Sequence, residues 1–290
     1  MRSWFSALFV WSQFPLQWVL IIPFLLQIFG TVGLVGYLSF QSGREAVESL
    51  AIEVIDQTND VVVEHLNSYL GSPQKLTQIN ADAIRRGVIE LGDHALISRY
   101  LWDQMQAYDL TYLGMGFVDG SGYGIACFDG ITTTMEDWTG AAEDNVTTYT
   151  VDNQGNPIDV LNVWTWSNFD ESWYTNPIAA GQPTWSIVES YLEEGGVFVT
   201  ASASRPIYNP QGDLLGMFAA DVQLLKLSDF LENLQISQSG SIFIVGRDGR
   251  LIANSGDNSP FSIKPDRTPE RFLAHISPEP IIQRIGQTIQ

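Results

Sequence analysis

Residues 16–40 carry no charged side chain, and a polar, strongly acidic body follows at once. A helix of roughly 25 mostly apolar residues is long enough to cross a hydrocarbon core about 30 Å thick. A cleaved signal peptide would put a shorter apolar core after a basic start and end it at small residues. Here the only early base is Arg2, and the run closes on Val35-Gly36-Tyr37-Leu38-Ser39-Phe40 with no A-x-A site. The segment therefore reads as a retained membrane anchor. Trp18 and Tyr37 stand near its ends, where interfacial aromatics belong. Pro23, Gly30, Gly33 and Gly36 are better tolerated in a bilayer helix than in water.

Arg2 before the span and Arg44 after it give almost no vote on orientation. The whole chain has 14 Lys and Arg against 33 Asp and Glu, a formal net charge of −19. Such a body repels nucleic acid and anionic lipid surfaces and favours an exported domain. The single Cys127 excludes an intrachain disulfide and reads as a small buried thiol on a strand.

Beyond the anchor, Val47, Leu50, Val54 and Val61, flanked by Ile55, Val62, Leu66 and Tyr69, recur at helical spacing among charged residues. The near-heptad recurrence suits either a helix packed on its own domain or a dimer stalk. Gly71-Ser72-Pro73 reads as a break or kink, with further helices expected over 74–87 and 94–107. From Leu110 the pattern changes to strands, expected at 112–118, 123–128, 145–151, 158–166, 184–189, 197–208 and 214–224. Asp119-Gly120-Ser121-Gly122, Asp152-Asn153-Gln154-Gly155-Asn156 and Asn209-Pro210-Gln211-Gly212-Asp213 supply the turns, and one short helix interrupts at 170–180. Successive hairpins with so little helix between them indicate an antiparallel sheet in an α+β domain.

After a helix expected at 226–234, residues 239–253 repeat the scheme of an apolar strand, an Asp248-Gly249 turn and a second strand. This reads as the opening of a second domain. The remaining residues hold Ser, Pro and Asp where strands would be needed, so that second domain reads as incomplete, as in a truncated or split protein.

In this order of parts the chain resembles the double Cache (dCache) extracytoplasmic sensor domains of bacterial chemoreceptors, histidine kinases and nucleotide cyclases, with an anchor like those of cyanobacterial-type members. The resemblance covers 41–253. Its carriers are Trp173-Tyr174 at a helix start, Ser204-Arg205-Pro206-Ile207-Tyr208 with Gly212 in the next turn, residues 215–224, and the 240–253 unit. It implies two PAS-like lobes on a long stalk helix, with ligand in the membrane-distal lobe. Amino-acid-binding members use an aromatic residue, an Arg two places before a Trp-Tyr pair, and an Asp at the end of the last strand. Trp173, Tyr174 and Asp221 match, Trp166 stands for the upstream aromatic, and the Arg position is Glu171.

That charge reversal removes the bidentate fork that would grip a ligand carboxylate. What remains, Glu171 and Asp221 with Trp166, Trp173 and Tyr174, favours a cation: carboxylates pair with ammonium groups, and aromatic faces attract amine and quaternary cations. An amine, a polyamine or a betaine-like compound fits. Other readings stand beside this one. Trp173 and Tyr174 are equally suited to anchoring the helix to the sheet, Glu171 to the first turn of a helix, and Arg205 to a structural role or to a pairing with Asp221. Trp164, Trp185 and Tyr191 are further aromatics for the same cleft.

Enzyme signatures are absent: there is no HExxH, GxxxxGK[ST] or GxSxG, and His65, His94 and His275 lack ligand spacing. No catalytic residue, metal site or cofactor is expected. Asn145-Val146-Thr147 matches a glycosylation acceptor by composition alone. The expectation is thus a cytoplasmic 1–15, a transmembrane helix at 16–40, a stalk helix with a distal lobe at 41–237, and a truncated proximal lobe at 238–290. Such a protein would be a single-pass protein of the inner (plasma) membrane with its sensor in the periplasm, a homodimer through the stalk helix. The competing reading is a structural or interaction subunit without signalling output.

Overall fold

The computed structural model describes residues 15–140, 142–192, 196–234 and 240–289. The cytoplasmic reading of the N-terminus and the 237/238 boundary fall outside the described residues. The chain divides into two compact units, Met1–Asp60 and Val61–Gln290. In the first, the described residues belong to helix α1 (Leu16–Arg85), with its apolar side chains exposed on every face. A window of this helix is long and apolar enough to cross a membrane. Val47, Leu50 and Val54 of the near-heptad stripe are exposed as well.

In the second unit α1 changes character: Val62 and Leu76 are buried in the main core, with Leu66, Tyr69 and Leu70 packed against it. The expected break at Gly71-Ser72-Pro73 does not occur, and α1 continues unbroken to Arg85. Pro73 forfeits one backbone donor, while apolar burial on both sides of it, at Leu70 and Leu76, holds the helix in place. Helix α2 (His94–Ala107) follows, capped by Asp93, whose carboxylate accepts from the Leu96 N–H at 3.0 Å.

The sheet has eight strands: β1 (Tyr112–Phe117), β2 (Ser121–Ala126), β3 (Thr134–Thr139), β4 (Val146–Val151), β5 (Pro157–Trp164), β6 (Thr184–Leu192), β7 (Gly196–Tyr208) and β8 (Leu214–Gln223). Their spatial order is β5-β4-β3-β2-β1-β8-β7-β6, and every pairing is antiparallel. Strand β3 was not expected, because its run of Thr and paired acids hides the alternation of Met135 and Asp137 with Glu136 and Trp138.

Period-two alternation gives the sheet two different faces. Leu113, Met115, Ile125, Val199, Ala201, Phe218, Ala220 and Val222 point into the main core with α1 and α2. On the opposite face Met217 and Ala219 pack under helix α3 (Ser172–Ala180) with Trp173 and Tyr174.

Helix α4 (Leu225–Asn233) leads to the hairpin β9 (Phe243–Val245) and β10 (Leu251–Asn254). The residues beyond, expected to be poor in strands, form a second hairpin, β11 (Phe261–Ile263) with β12 (Pro269–Arg271), and helix α5 (Pro280–Ile289). Ala253 is buried in the main core, with Ile242, Ile244, Ile252 and Phe261 packed against it. The buried Arg271 donates to Glu189 on β6 at 2.9 Å and to Asp248 in the β9–β10 turn at 2.7 Å. These contacts place the C-terminal hairpins in the same compact unit as the large sheet.

Candidate ligand cavity

A cavity of about 90 Å³ opens on the α3 face of the sheet. Of the six residues singled out in the sequence, it is lined by Trp166, Glu171, Trp173 and Asp221. Tyr174 and Arg205 lie outside it. The Tyr174 hydroxyl donates to the Phe117 carbonyl at 3.2 Å, and its ring packs edge-on against Trp173 and Phe169. Tyr174 therefore anchors α3 and holds Trp173. Arg205 alternates with the seryl positions Ser202 and Ser204 along β7 and takes the face of Ala201 and Ile207, on the other side of the sheet from Asp221. Burial lowers its pKa and Asp82 of α1 opposes the shift.

Asp221 is 5% exposed. Thr200 donates to its Oδ2 at 3.3 Å, and its Oδ1 has no hydrogen-bond partner among the described residues. Burial, reinforced by the charge of Glu171, pushes its pKa up to about 7 against the pull of the Ser202 and Thr200 hydroxyls. Glu171 is the N-cap residue of α3 but makes no side-chain cap. Its carboxylate instead accepts from the Trp166 indole N–H at 3.0 Å. Burial raises its pKa, the Trp166 bond opposes, and Asp170 adds to the rise.

Trp166 is fixed from the other side by Asn145, whose Oδ1 accepts from the Trp166 N–H at 3.0 Å and whose Nδ2 donates to the Trp166 carbonyl at 2.8 Å. The Asn145 amide also bonds the Gly140 carbonyl, so this 4%-exposed side chain is consumed by structure and is no glycan acceptor. The Trp166 ring stacks on Trp173 with centroids 6.2 Å apart and meets Trp138 edge-on at 5.2 Å.

Sequence reasoning missed much of the wall. Glu136 and Trp138 come from the unexpected strand β3, Tyr112 from the start of β1, and Phe128 and Phe198 from residues read only as strand text. Glu136 as a whole keeps some exposure, yet burial of its carboxyl pushes the pKa up to about 7. The available signal was glycine at alternating positions. A Cβ on Gly124 would overlap the Tyr112 hydroxyl, and one on Gly122 would overlap the Trp138 indole, so both rings lie flat on the sheet. Trp164 also lines the cavity, Trp185 packs on the main core instead, and the Tyr191 side chain lies outside the described residues. Among the described residues the lining holds three carboxylates and seven aromatic rings, and no Lys, Arg or His. Carboxylates of this kind can pair with ammonium groups, and aromatic faces can hold cations through their ring quadrupoles.

No protein-family model matches the chain, and no curated protein does. Among solved structures it is similar to the ligand-binding domain of the Pseudomonas aeruginosa PAO1 amino acid chemoreceptor PctC in complex with GABA. The identity is 17%, the match covers 69% of this chain and 72% of that one, and the TM-score is 0.44. It is similar to the ligand-binding domain of the Campylobacter jejuni chemoreceptor Tlp3 in complex with 4-methylisoleucine, at 10% identity, 70% and 69% coverage and a TM-score of 0.45. It is also similar to the extracellular domain of a candidate histidine kinase, mmHK1S-Z3, at 14% identity, 81% and 80% coverage and a TM-score of 0.49. Nothing in these comparisons bears on a cyanobacterial-type anchor. These likenesses are to ligand-binding or extracellular domains of two chemoreceptors and one candidate histidine kinase.

Proposed function

We propose that the chain is the input domain of a membrane-anchored signalling protein, which senses a small organic cation, an amine, polyamine or betaine-like compound, in the cavity under α3. One observation carries the reading: three carboxylates and seven aromatic rings line that cavity, and among the described residues no base does. In an empty site the acids repel one another and hold protons, whereas a bound ammonium ion relieves both the repulsion and the burial penalty.

In this proposal residues 16–40 are the single span of the plasma membrane and the body lies outside the cytoplasm. Residues 41–237 serve as stalk and distal lobe, and 238–290 belong to a membrane-proximal lobe. The exposed near-heptad stripe through Val47, Leu50 and Val54 supports pairing of two stalks. Catalytic output, kinase or cyclase, belongs to other parts of the signalling protein. Ligand acts by binding one packing of the lobe more tightly than another.

Thermal melting of the full chain in detergent micelles, titrated with a panel of amines, quaternary cations and zwitterionic amino acids, tests the proposal. A melting temperature that rises with cation concentration supports it. A rise with amino acids alone replaces the cation by another metabolite, and a flat response to every compound returns the chain to a structural or interaction role.

A further inference from the structure

The acids of the cavity are not gathered at one point, and their separation says more about the ligand than their number does. Asp221 sits on β8, and Glu171 at the start of α3 is close enough to raise its pKa. Glu136 sits on β3. In the sheet β1 and β2 intervene between these two strands. At about 4.8 Å per strand spacing, the Asp221 and Glu136 backbones are roughly 14 Å apart across the sheet.

The floor between them is visible in the register. Tyr112 pairs directly with Asp221, and Gly124 pairs directly with Glu136. The Tyr112 ring leaves the first pair and reaches the second, since its hydroxyl occupies the space above Gly124. The ring therefore bridges the two acidic ends, and its hydroxyl feels both the Glu136 and the Asp221 charges. At one end stands a buried carboxylate whose Oδ1 has no partner among the described residues. At the other stands a second carboxyl, with an aromatic surface between.

Resting on the cation reading above, we infer that the ligand is a diamine, with one protonated nitrogen at Asp221 and Glu171, the other at Glu136, and an apolar linker over the Tyr112 ring. Glu136 is then the residue that separates diamines from monoamines. A monoamine leaves one acidic end desolvated and unpaired, and a quaternary ion offers no N–H to Asp221 Oδ1.

Isothermal titration of the full chain in detergent micelles with n-butylamine, tetramethylammonium and the α,ω-diamines from three to six carbons tests the inference. The four- or five-carbon diamine is expected to bind at least tenfold more tightly than n-butylamine. Affinity is expected to peak within the diamine series at the length that spans the two ends. Glu136→Gln, which keeps the side-chain shape, is expected to shrink the diamine-to-monoamine ratio to about twofold or less. Should Glu136→Gln fail to fold, the length optimum in the wild-type chain decides alone. Equal binding of diamines and n-butylamine, or affinity without a length optimum, overturns the diamine and leaves the cation reading standing. Binding of tetramethylammonium alone overturns the diamine and leaves the cation reading standing, and absence of binding by every compound tested overturns both.

Discussion

Tyr69 on α1 donates its hydroxyl to the Gln223 carbonyl at 3.0 Å, two residues past Asp221 on the same strand. The strand that carries the acid of the cavity is thereby pinned to the helix that carries the stalk sequence. Tyr69→Phe keeps the ring and removes the bond, at a cost of about 1 kcal/mol of stability. Amine binding should persist, while the ligand-dependent change in hydrogen exchange over residues 61–85 should shrink. Exchange that responds to ligand as in the wild type would remove Tyr69 from the transmission route.

Asp221→Asn should be more stable than the wild type at alkaline pH and blind to amines. The folded pKa of Asp221 is about 7, above the ordinary carboxylate value of 3.8. Between those values the folded chain holds more protons than the unfolded one, so this group's contribution falls as pH rises through the window and stays low above it. At about 1.4 kcal/mol per pH unit, the variant should gain about 2–4 kcal/mol over the wild type at pH 8, less the loss of the Thr200 bond. Glu136 titrates over a similar window, so part of the slope should survive in Asp221→Asn and shrink further in the double variant with Glu136→Gln, where the burial-raised Glu171 keeps a remainder. Melting curves at pH 5 and pH 8 measure both effects.

Affinity for an amine should climb with pH up to about 7 and then level off, because the cation prefers the ionised forms of Asp221 and Glu136. Binding at pH 6 should release protons, visible as a titration heat that depends on the ionisation enthalpy of the buffer. Heats independent of buffer would place the cation elsewhere.

Trp166→Phe keeps an aromatic ring against Trp173 and removes the N–H that Glu171 accepts. About 1–2 kcal/mol of stability should be lost through the unpaired buried carboxylate. The loss should fall well below that in a Glu171→Ala background, which has no side-chain acceptor, and chemical denaturation of the two single variants and the double variant would show it.

Gly124→Ala should cost about 1–3 kcal/mol, since the new methyl meets the Tyr112 hydroxyl. Tyr112→Phe in the same chain should recover part of that loss, whereas a merely conformational cost of leaving glycine would be untouched by it.

How far the sequence could be read depended on whether one local pattern decided the outcome. Helix α2 lies at the expected residues because apolar spacing and the Asp93 cap agree. Trp166, Trp173 and Asp221 were singled out by their order along the chain, and all three line one cavity. Glu136 was missed because a strand of Thr and acids has no apolar rhythm, and its membership of the sheet comes from pairing on both sides with β2 and β4. Arg205 was placed among the site residues by its neighbours in sequence, yet one step of strand alternation sends it to the far face. The continuation of α1 past Pro73 goes with burial in a core whose other members come from α2 and the strands, which local breaker rules do not register.

The pairing of β1 with β8 has a consequence for biogenesis. The first five strands form one meander and the last three another, and the seam between them closes only when residues 214–223 have been made. Tyr112 and Glu136 come from the early half, Asp221 from the last of the eight strands to be synthesised. On the function proposed above, a nascent chain has no complete place for the ligand until β8 is made, so an amine would stabilise finished molecules and not template their assembly.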